Sequence, residues 1–219
     1  MKTLVVCSGG LDSVCLAHLI AENFELSGII SFDYGQRHRI ELEFAAATAD
    51  RLRCSFDLVD FNGLRALLSG SALTGDLEVP NGRYEQDNMQ ATVVPNRNAI
   101  MLTVAFGAAS ARGLDAVAIA VHGGDHFIYP DCRPAFLSSF QMMQNEALGE
   151  YSSVKLYAPF AEQSKSDIVV QGHQVGVPFD RTWSCYKGLE KHCGRCGTCI
   201  ERREAFHIAQ VVDPTEYLT

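Results

Sequence analysis

The sequence predicts an α/β protein built on a doubly wound, mainly parallel sheet, and two observations carry that reading. Strand-like runs at 3–7, 26–32, 55–59, 116–121 and 154–157 alternate with helical patterns at 12–23, 38–52, 97–112 and 134–148. Such alternation packs helices on both faces of parallel strands. ELSGIISF and DAVAIAVH are nearly unbroken apolar runs, as strands covered on both faces require.

The first strand and helix are joined by a glycine loop. LVVC breaks at Ser8-Gly9-Gly10 and then enters a helical pattern, giving SGGLDS. A strand–glycine loop–helix corner suits an anion, because first-turn N–H groups lack backbone partners and the helix dipole favours negative charge. The plain alternative is a turn in which Asp12 or Ser13 caps the helix. Neither G-x-x-x-x-G-K-[ST] nor G-x-G-x-x-G occurs here, so the balancing cation has to come from elsewhere. Arg97 follows Pro95 and opens a helix. Lys165 lies in the first turn of a helix capped by Ser164, where a lysine opposes the dipole and so faces either solvent or an anion. Arg133 and Lys155 are secondary candidates.

Other polar groups gather where strands end, the edge at which open α/β sheets bind ligands. FDYGQRH places Phe32 and Tyr34 at the carboxyl end of the second strand, where an adenine ring could pack, with ordinary core as the plain alternative for Phe32. VHGGDHFIYPDCRP brings His122, Asp125, His126, Asp131 and Arg133 to the end of a later strand. Each histidine alone is as well explained by core packing.

Two segments interrupt the alternation. SGSALTGDLEVPNGRYEQDNMQATVVP, residues 69–95, is long and polar, as functional lids or disordered loops are. The C-terminal part holds SCYKGLEKHCGRCGTC. There Cys185, Cys193, Cys196 and Cys199 fall at C-x7-C-x2-C-x2-C, a spacing that closes four thiolates around one Zn²⁺. Four protein ligands leave no open coordination position, so the expected zinc is structural. Between residues 185 and 203, five cations face two carboxylates, an excess expected to offset the negative metal–thiolate centre. With 219 residues, the expected organisation is one α/β domain over 1–177 and a small zinc-binding helical region over 178–219.

Composition narrows the function classes. A net charge of −8 argues against gripping nucleic acid by phosphate neutralisation, although a local basic patch stays possible. Met1-Lys2 leads directly into the first strand, and no apolar run approaches the roughly 18 residues of a membrane span. A cytoplasmic protein without signal peptide or membrane contact is therefore expected.

SGGLDS resembles the S-G-G-x-D-S loop of the PP-loop ATP pyrophosphatases. Together with FDYGQRH, VVPNRNAIML, GGDHFIYPDCRPAF, SKSDI and C-x7-C-G-x-C-x2-C, in that order, the chain resembles the QueC family of 7-cyano-7-deazaguanine (preQ0) synthases from the first strand to at least Phe206. Departures are small: Asn96 stands where the family often has Ala or Gly, and Leu11 where it often has Gln or Met.

The resemblance implies a Rossmann-like fold of the adenine nucleotide alpha hydrolase type. It implies ATP-dependent conversion of 7-carboxy-7-deazaguanine and ammonia to the 7-cyano product, by adenylation of the acid and then of the amide. It assigns Ser8, Gly9, Gly10, Leu11, Asp12, Ser13, Val14 and Cys15, with Phe32, to the nucleotide and its Mg²⁺. Asp12, Ser13, Arg97 and Lys165 are the expected catalytic groups, with Arg97 and Lys165 on the transferring phosphates. Asp125, Asp131 and Arg133 are the expected deazaguanine contacts. A homodimer follows from the family alone. Three alternatives stay open: a ligase stopping at the amide, a tRNA-modifying PP-loop enzyme and a non-enzymatic zinc-knuckle module.

Overall fold

A computed structural model of the chain describes residues 1–64, 67, 70–75, 77–83 and 89–218. Five strands, β1 (Lys2–Val6), β2 (Glu25–Asp33), β3 (Ser55–Asp60), β4 (Ala116–Ala118) and β5 (Lys155–Tyr157), form one sheet in the order β3-β2-β1-β4-β5. Every pairing is parallel. Among the described residues the α-helices are α1 (Leu11–Asn23), α2 (Glu41–Leu52), α3 (Arg97–Ala111), α4 (Pro134–Leu148), α5 (Lys165–Gln174) and α6 (Gly197–Ala209).

Alternating strand residues feed two cores. Leu4, Ile30, Phe32 and Val117 face α3 and α4, burying Phe106 and Phe140 against them. Val5, Ile29 and Ala118 face the other way, against Val14 and Leu16 of α1, Ala45 of α2, Ile168 of α5 and Phe206 of α6. The central strands are thus dry on both sides, which is why their sequences read as apolar runs. On the second face α1 and α5 approach so closely that a Cβ at Gly172 would stand 2.6 Å from Cys15 Sγ.

Two boundaries differ from expectation. α2 begins at Glu41 and not near residue 38, because Gln36 bonds the local backbone: its Oε1 accepts from Tyr34 N–H at 3.0 Å and its Nε2 donates to the Phe32 carbonyl at 3.1 Å. Such side-chain bonds hold a turn in competition with a helix. β4 ends at Ala118; Ile119 N–H still donates to Tyr157 O at 3.0 Å, after which the chain turns away toward the strand ends.

Within 69–95, Ala72, Leu73, Val79, Met89 and Val94 are buried in the first core. They lie beneath a partly polar surface that alternation alone does not reveal. Residues 69, 76 and 84–88 of the expected lid or disordered loop lie outside the described residues. Among the described residues no helix is long and apolar enough to cross a membrane.

Candidate active site and cysteine cluster

The chain runs from β1 outward to β2 and β3, then returns to place β4 on the other side of β1. The loop after β1 therefore sits at the point where the winding reverses, the usual crevice for ligands in such sheets. Gly9 has φ +87°, and a Cβ there would collide with the Glu41 carbonyl oxygen. Only glycine lets α2 pack onto the loop. Ser8 N–H donates to Ser13 Oγ at 3.2 Å, Ser13 Oγ donates to Gly10 O at 3.0 Å, and Gly10 N–H donates to Ser8 Oγ at 3.2 Å.

Gly10 stands at the N-cap, and no side chain caps α1. That removes the plain reading in which Asp12 or Ser13 serves as the cap. First-turn N–H groups remain without a side-chain partner, and Asp12 Oδ1 is buried with no hydrogen-bond partner.

Lys165 is where the sequence placed it, at the start of α5 behind a Ser164 cap that accepts from Asp167 N–H at 3.2 Å. The lysine reaches the loop. Its Nζ lies 3.1 Å from Asp12 Oδ2 and 2.8 Å from Glu201 Oε2. Burial disfavours the ammonium, but Asp12, Glu201 and Asp125 outweigh it and hold its pKa well above the ordinary lysine value. His122, almost fully buried, extends the cluster: its Nε2 is 3.8 Å from Asp12 and 3.6 Å from Asp125, while its Nδ1 accepts from Gly124 N–H at 3.1 Å.

Arg97 opens on the same cleft in different company. Its electrostatic neighbours are the phenols of Tyr34, Tyr186 and Tyr129 and the carboxylate of Asp131. Glu41 also lines the cleft, and its carboxyl pKa is pushed up to about 8 by burial, against the opposing influence of the Gln36 bond and Arg97. Beside it, burial and then Arg97 drive the His38 imidazole down to about 3.

Of the residues singled out from sequence, Ser8, Gly10, Leu11, Asp12, Ser13, Phe32, Arg97, Asp125 and Lys165 line this one cleft. Gly9 lies behind it, supporting the loop. Val14 and Cys15 are fully buried on the core side of α1. Asp131 instead bonds α3, its Oδ2 accepting from Asn98 N–H at 2.9 Å, and Arg133 is exposed with Nε donating to His126 O at 2.6 Å. Neither lines the cleft.

Sequence reasoning missed the contribution of the C-terminal part, which supplies Trp183, Ser184, Tyr186, Thr198 and Glu201 to the cleft wall. Trp183 N–H donates to Gly9 O at 2.9 Å, so this part is stitched to the loop. Arg202, fully buried, anchors it: its guanidinium reaches Thr182 Oγ1 at 2.7 Å, Phe179 O at 2.9 Å, Ser184 Oγ at 3.1 Å and Asp213 Oδ1 at 3.2 Å.

The four cysteines do come together. All are buried and unpaired by disulfides, and their Sγ atoms lie within 4.8 Å of one another. The Cys193–Cys199 separation of 3.9 Å is close to the edge of about 3.8 Å that Zn–S bonds of about 2.3 Å imply for a tetrahedron. Backbone N–H groups of Arg195 and Cys196 point at Cys193 Sγ at 3.3 and 3.2 Å, which suits a thiolate. The donor set thus fits a metal ion. The expected charge balance is changed: Lys191 pairs with Glu216, Arg202 with Asp213, and Glu201 with Lys165. Fewer cations are left for the cluster because the folded chain engages them elsewhere.

The sheet order, the uncapped glycine loop at its reversal point and the lysine brought to that loop define a PP-loop α/β protein. The chain belongs to the QueC family: the model of "Queuosine biosynthesis protein QueC" matches residues 2–210. A 7-cyano-7-deazaguanine synthase of Rhizobium johnstonii is 65% identical over 99% of this chain and 92% of its own length. One of Ruegeria pomeroyi is 64% identical, over 99% and 94%. Among solved structures, NMN synthetase from Francisella tularensis superposes with a TM-score of 0.51 at 11% identity, covering 96% of this chain and 77% of that one. A 4-thiouridine synthetase solved with RNA and bound ATP gives 0.50 at 14%, covering 95% and 50%. At such identities the likeness is one of fold.

Proposed function

We propose that this chain is a carbon–nitrogen ligase that converts 7-carboxy-7-deazaguanine and ammonia to 7-cyano-7-deazaguanine with two ATP. The observation that carries the reading is the near full-length identity of 62–65% to proteins named for that product. The cleft is chemically suited to it. A carboxylate conjugated to an electron-rich ring resists ammonia, and oxide is a poor leaving group. Attack of a carboxylate oxygen on the α-phosphorus breaks the α–β bridge and releases pyrophosphate. Ammonia then adds at the carbonyl carbon, AMP departs, and a proton is lost to leave the amide. The amide oxygen takes AMP from a second ATP; its departure with loss of the nitrogen protons leaves the nitrile.

The chain's own groups serve the first half of each cycle. N–H groups of the first turn of α1, with the Ser8 and Ser13 hydroxyls, receive the pyrophosphate, and Lys165 neutralises charge as the α–β bond breaks. Mg²⁺, which would offset phosphate charge, fits Asp12, whose Oδ1 is otherwise unpartnered. Zn²⁺ fits the four cysteines, where it would fix residues 185–199 and so the cleft wall that follows Trp183. A homodimer and free ammonia complete the proposal; an acidic chain has little use for direct nucleic-acid contact.

Purified protein given the acid, ammonia and ATP, followed by mass spectrometry, tests it. The nitrile should form with AMP and pyrophosphate. Accumulation of the amide alone, or no ring product at all, contradicts the proposal.

A further inference from the structure

The cleft contains two cations, and they are not equivalent. Lys165 has two carboxylates within 3.1 Å and sits against the glycine loop. Arg97 makes no ion pair with a carboxylate among the described residues, and none of its electrostatic neighbours belongs to the loop. Of the acidic groups bearing on it, Asp131 already accepts the Asn98 N–H of α3 at 2.9 Å, and the Glu41 carboxyl accepts from Gln36 and is held protonated by burial to about pH 8. Tyr129, one of its phenols, is joined to Thr92 Oγ1 at 2.8 Å. A guanidinium set among neutral phenols, with carboxyl groups near but none paired with it among the described residues, can take an anionic partner from the cleft.

The chemistry of the surroundings distinguishes which anion completes it. A polyphosphate is tetrahedral, multiply charged and best met by several N–H donors and a cation, and the loop side of the cleft offers the uncapped first turn of α1 and Lys165. The Arg97 side offers one planar fork, which pairs two N–H groups with a carboxylate, and three tyrosines that line the cleft with it, Tyr34, Tyr129 and Tyr186. Tyr186 is itself held by ring contact with His38 at 4.8 Å between centroids. Tyrosines beside a planar donor fork suit an aromatic acid.

We propose that Arg97 is the receptor for the carboxylate of the heterocyclic acid, with the three phenols as its walls, and that it is not a phosphate ligand. The proposal rests on the reading of this chain as an amidating and dehydrating ligase, and it divides the cleft into a nucleotide half at Lys165 and an acid half at Arg97. It departs from the expectation that both cations serve the phosphates. It also gives the enzyme a preference: the acid, which carries full negative charge, binds more tightly than its neutral amide.

Calorimetric titration of the wild type, Arg97→Gln and Arg97→Lys with three probes tests this. The probes are 7-carboxy-7-deazaguanine, the corresponding carboxamide and the α,β-methylene analogue of ATP. Wild type should bind the acid about tenfold or more tightly than the amide, a contrast that needs no variant. Arg97→Gln should remove that contrast and leave the ATP analogue bound as before, while Arg97→Lys, keeping charge without the fork, should fall between. Equal wild-type affinity for acid and amide overturns the assignment. So does a loss of ATP-analogue binding in Arg97→Gln with acid binding retained. A wild type that binds the ATP analogue but neither ring compound defeats the underlying functional reading, and this proposal with it.

Discussion

Lys165 Nζ and Glu201 Oε2 lie 2.8 Å apart, and this contact joins the glycine loop's cation to the helix that starts inside the cysteine cluster. Glu201 follows Cys199 by two residues on α6, so whatever fixes the cysteines also fixes the counter-ion of Lys165. Lys165→Met should lower kcat/KM by about a hundredfold or more, the scale of losing a preorganised charge beside a developing one. Glu201→Gln should act through the lysine and cost less. Steady-state kinetics with metal content measured in parallel checks both; wild-type kinetics in Lys165→Met would remove the lysine from the mechanism.

Metal removal should be structural in its first effect. Four buried thiols brought within 4.8 Å repel one another once ionised without a cation between them. Chelation should therefore loosen residues 185–199, shift the emission of Trp183, the only tryptophan in the sequence, and lower Tm. Readdition of Zn²⁺ should restore all three. An unchanged Tm after complete removal would contradict this.

Arg202 offers a sharper stability test. It is fully buried with four oxygen partners from the C-terminal part and its approach. Arg202→Met leaves Asp213 without its cation and should cost about 3–5 kcal/mol by denaturant unfolding. A loss below about 1 kcal/mol would mean the network contributes little.

Glu41 predicts a pH dependence with a definite sign. Its carboxyl pKa rises from 4.5 to about 8 on folding, so the native state keeps a proton that the unfolded chain releases. The associated stability is fully present below about pH 4.5 and is lost as pH rises through about 8. Glu41→Gln, which cannot ionise, should flatten this part of the profile and gain on wild type at pH 8 to 9. Parallel stability profiles for the two proteins would contradict the assignment.

Gly9→Ala should be severe for a side chain of one carbon. It must adopt φ +87° and displace the Glu41 carbonyl, separating α2 from the loop. Loss of ATP-analogue binding together with a cost above about 1 kcal/mol is expected; normal nucleotide binding would show that the loop tolerates rearrangement.

Much of this could be read in the sequence because the signals were local. Strand-like runs alternating with helical patterns marked the five strands, SGGLDS the loop, Ser164 the start of α5, and C-x7-C-x2-C-x2-C the cysteine cluster. Local signals were poorer guides to direction. Val14 and Cys15 adjoin the loop in sequence, yet helical geometry turns their side chains into the core. Asp131 and Arg133 carry suitable charges, but their nearest unsatisfied groups are backbone ones at 98 and 126. Tyr186, Trp183 and Glu201 reach the cleft only because the C-terminal part folds back onto the loop, a long-range event that no spacing encodes.

The central claim is that the acid's own oxygen accepts AMP, and the fate of that oxygen tests it. 7-Carboxy-7-deazaguanine labelled with ¹⁸O in both carboxylate positions should pass one label to each of the two AMP molecules formed per nitrile, leaving pyrophosphate unlabelled. Label in inorganic phosphate, or ADP as the nucleotide product, would contradict the account, because it would place the transfer at the γ-phosphorus and deprive the loop of its role in holding pyrophosphate.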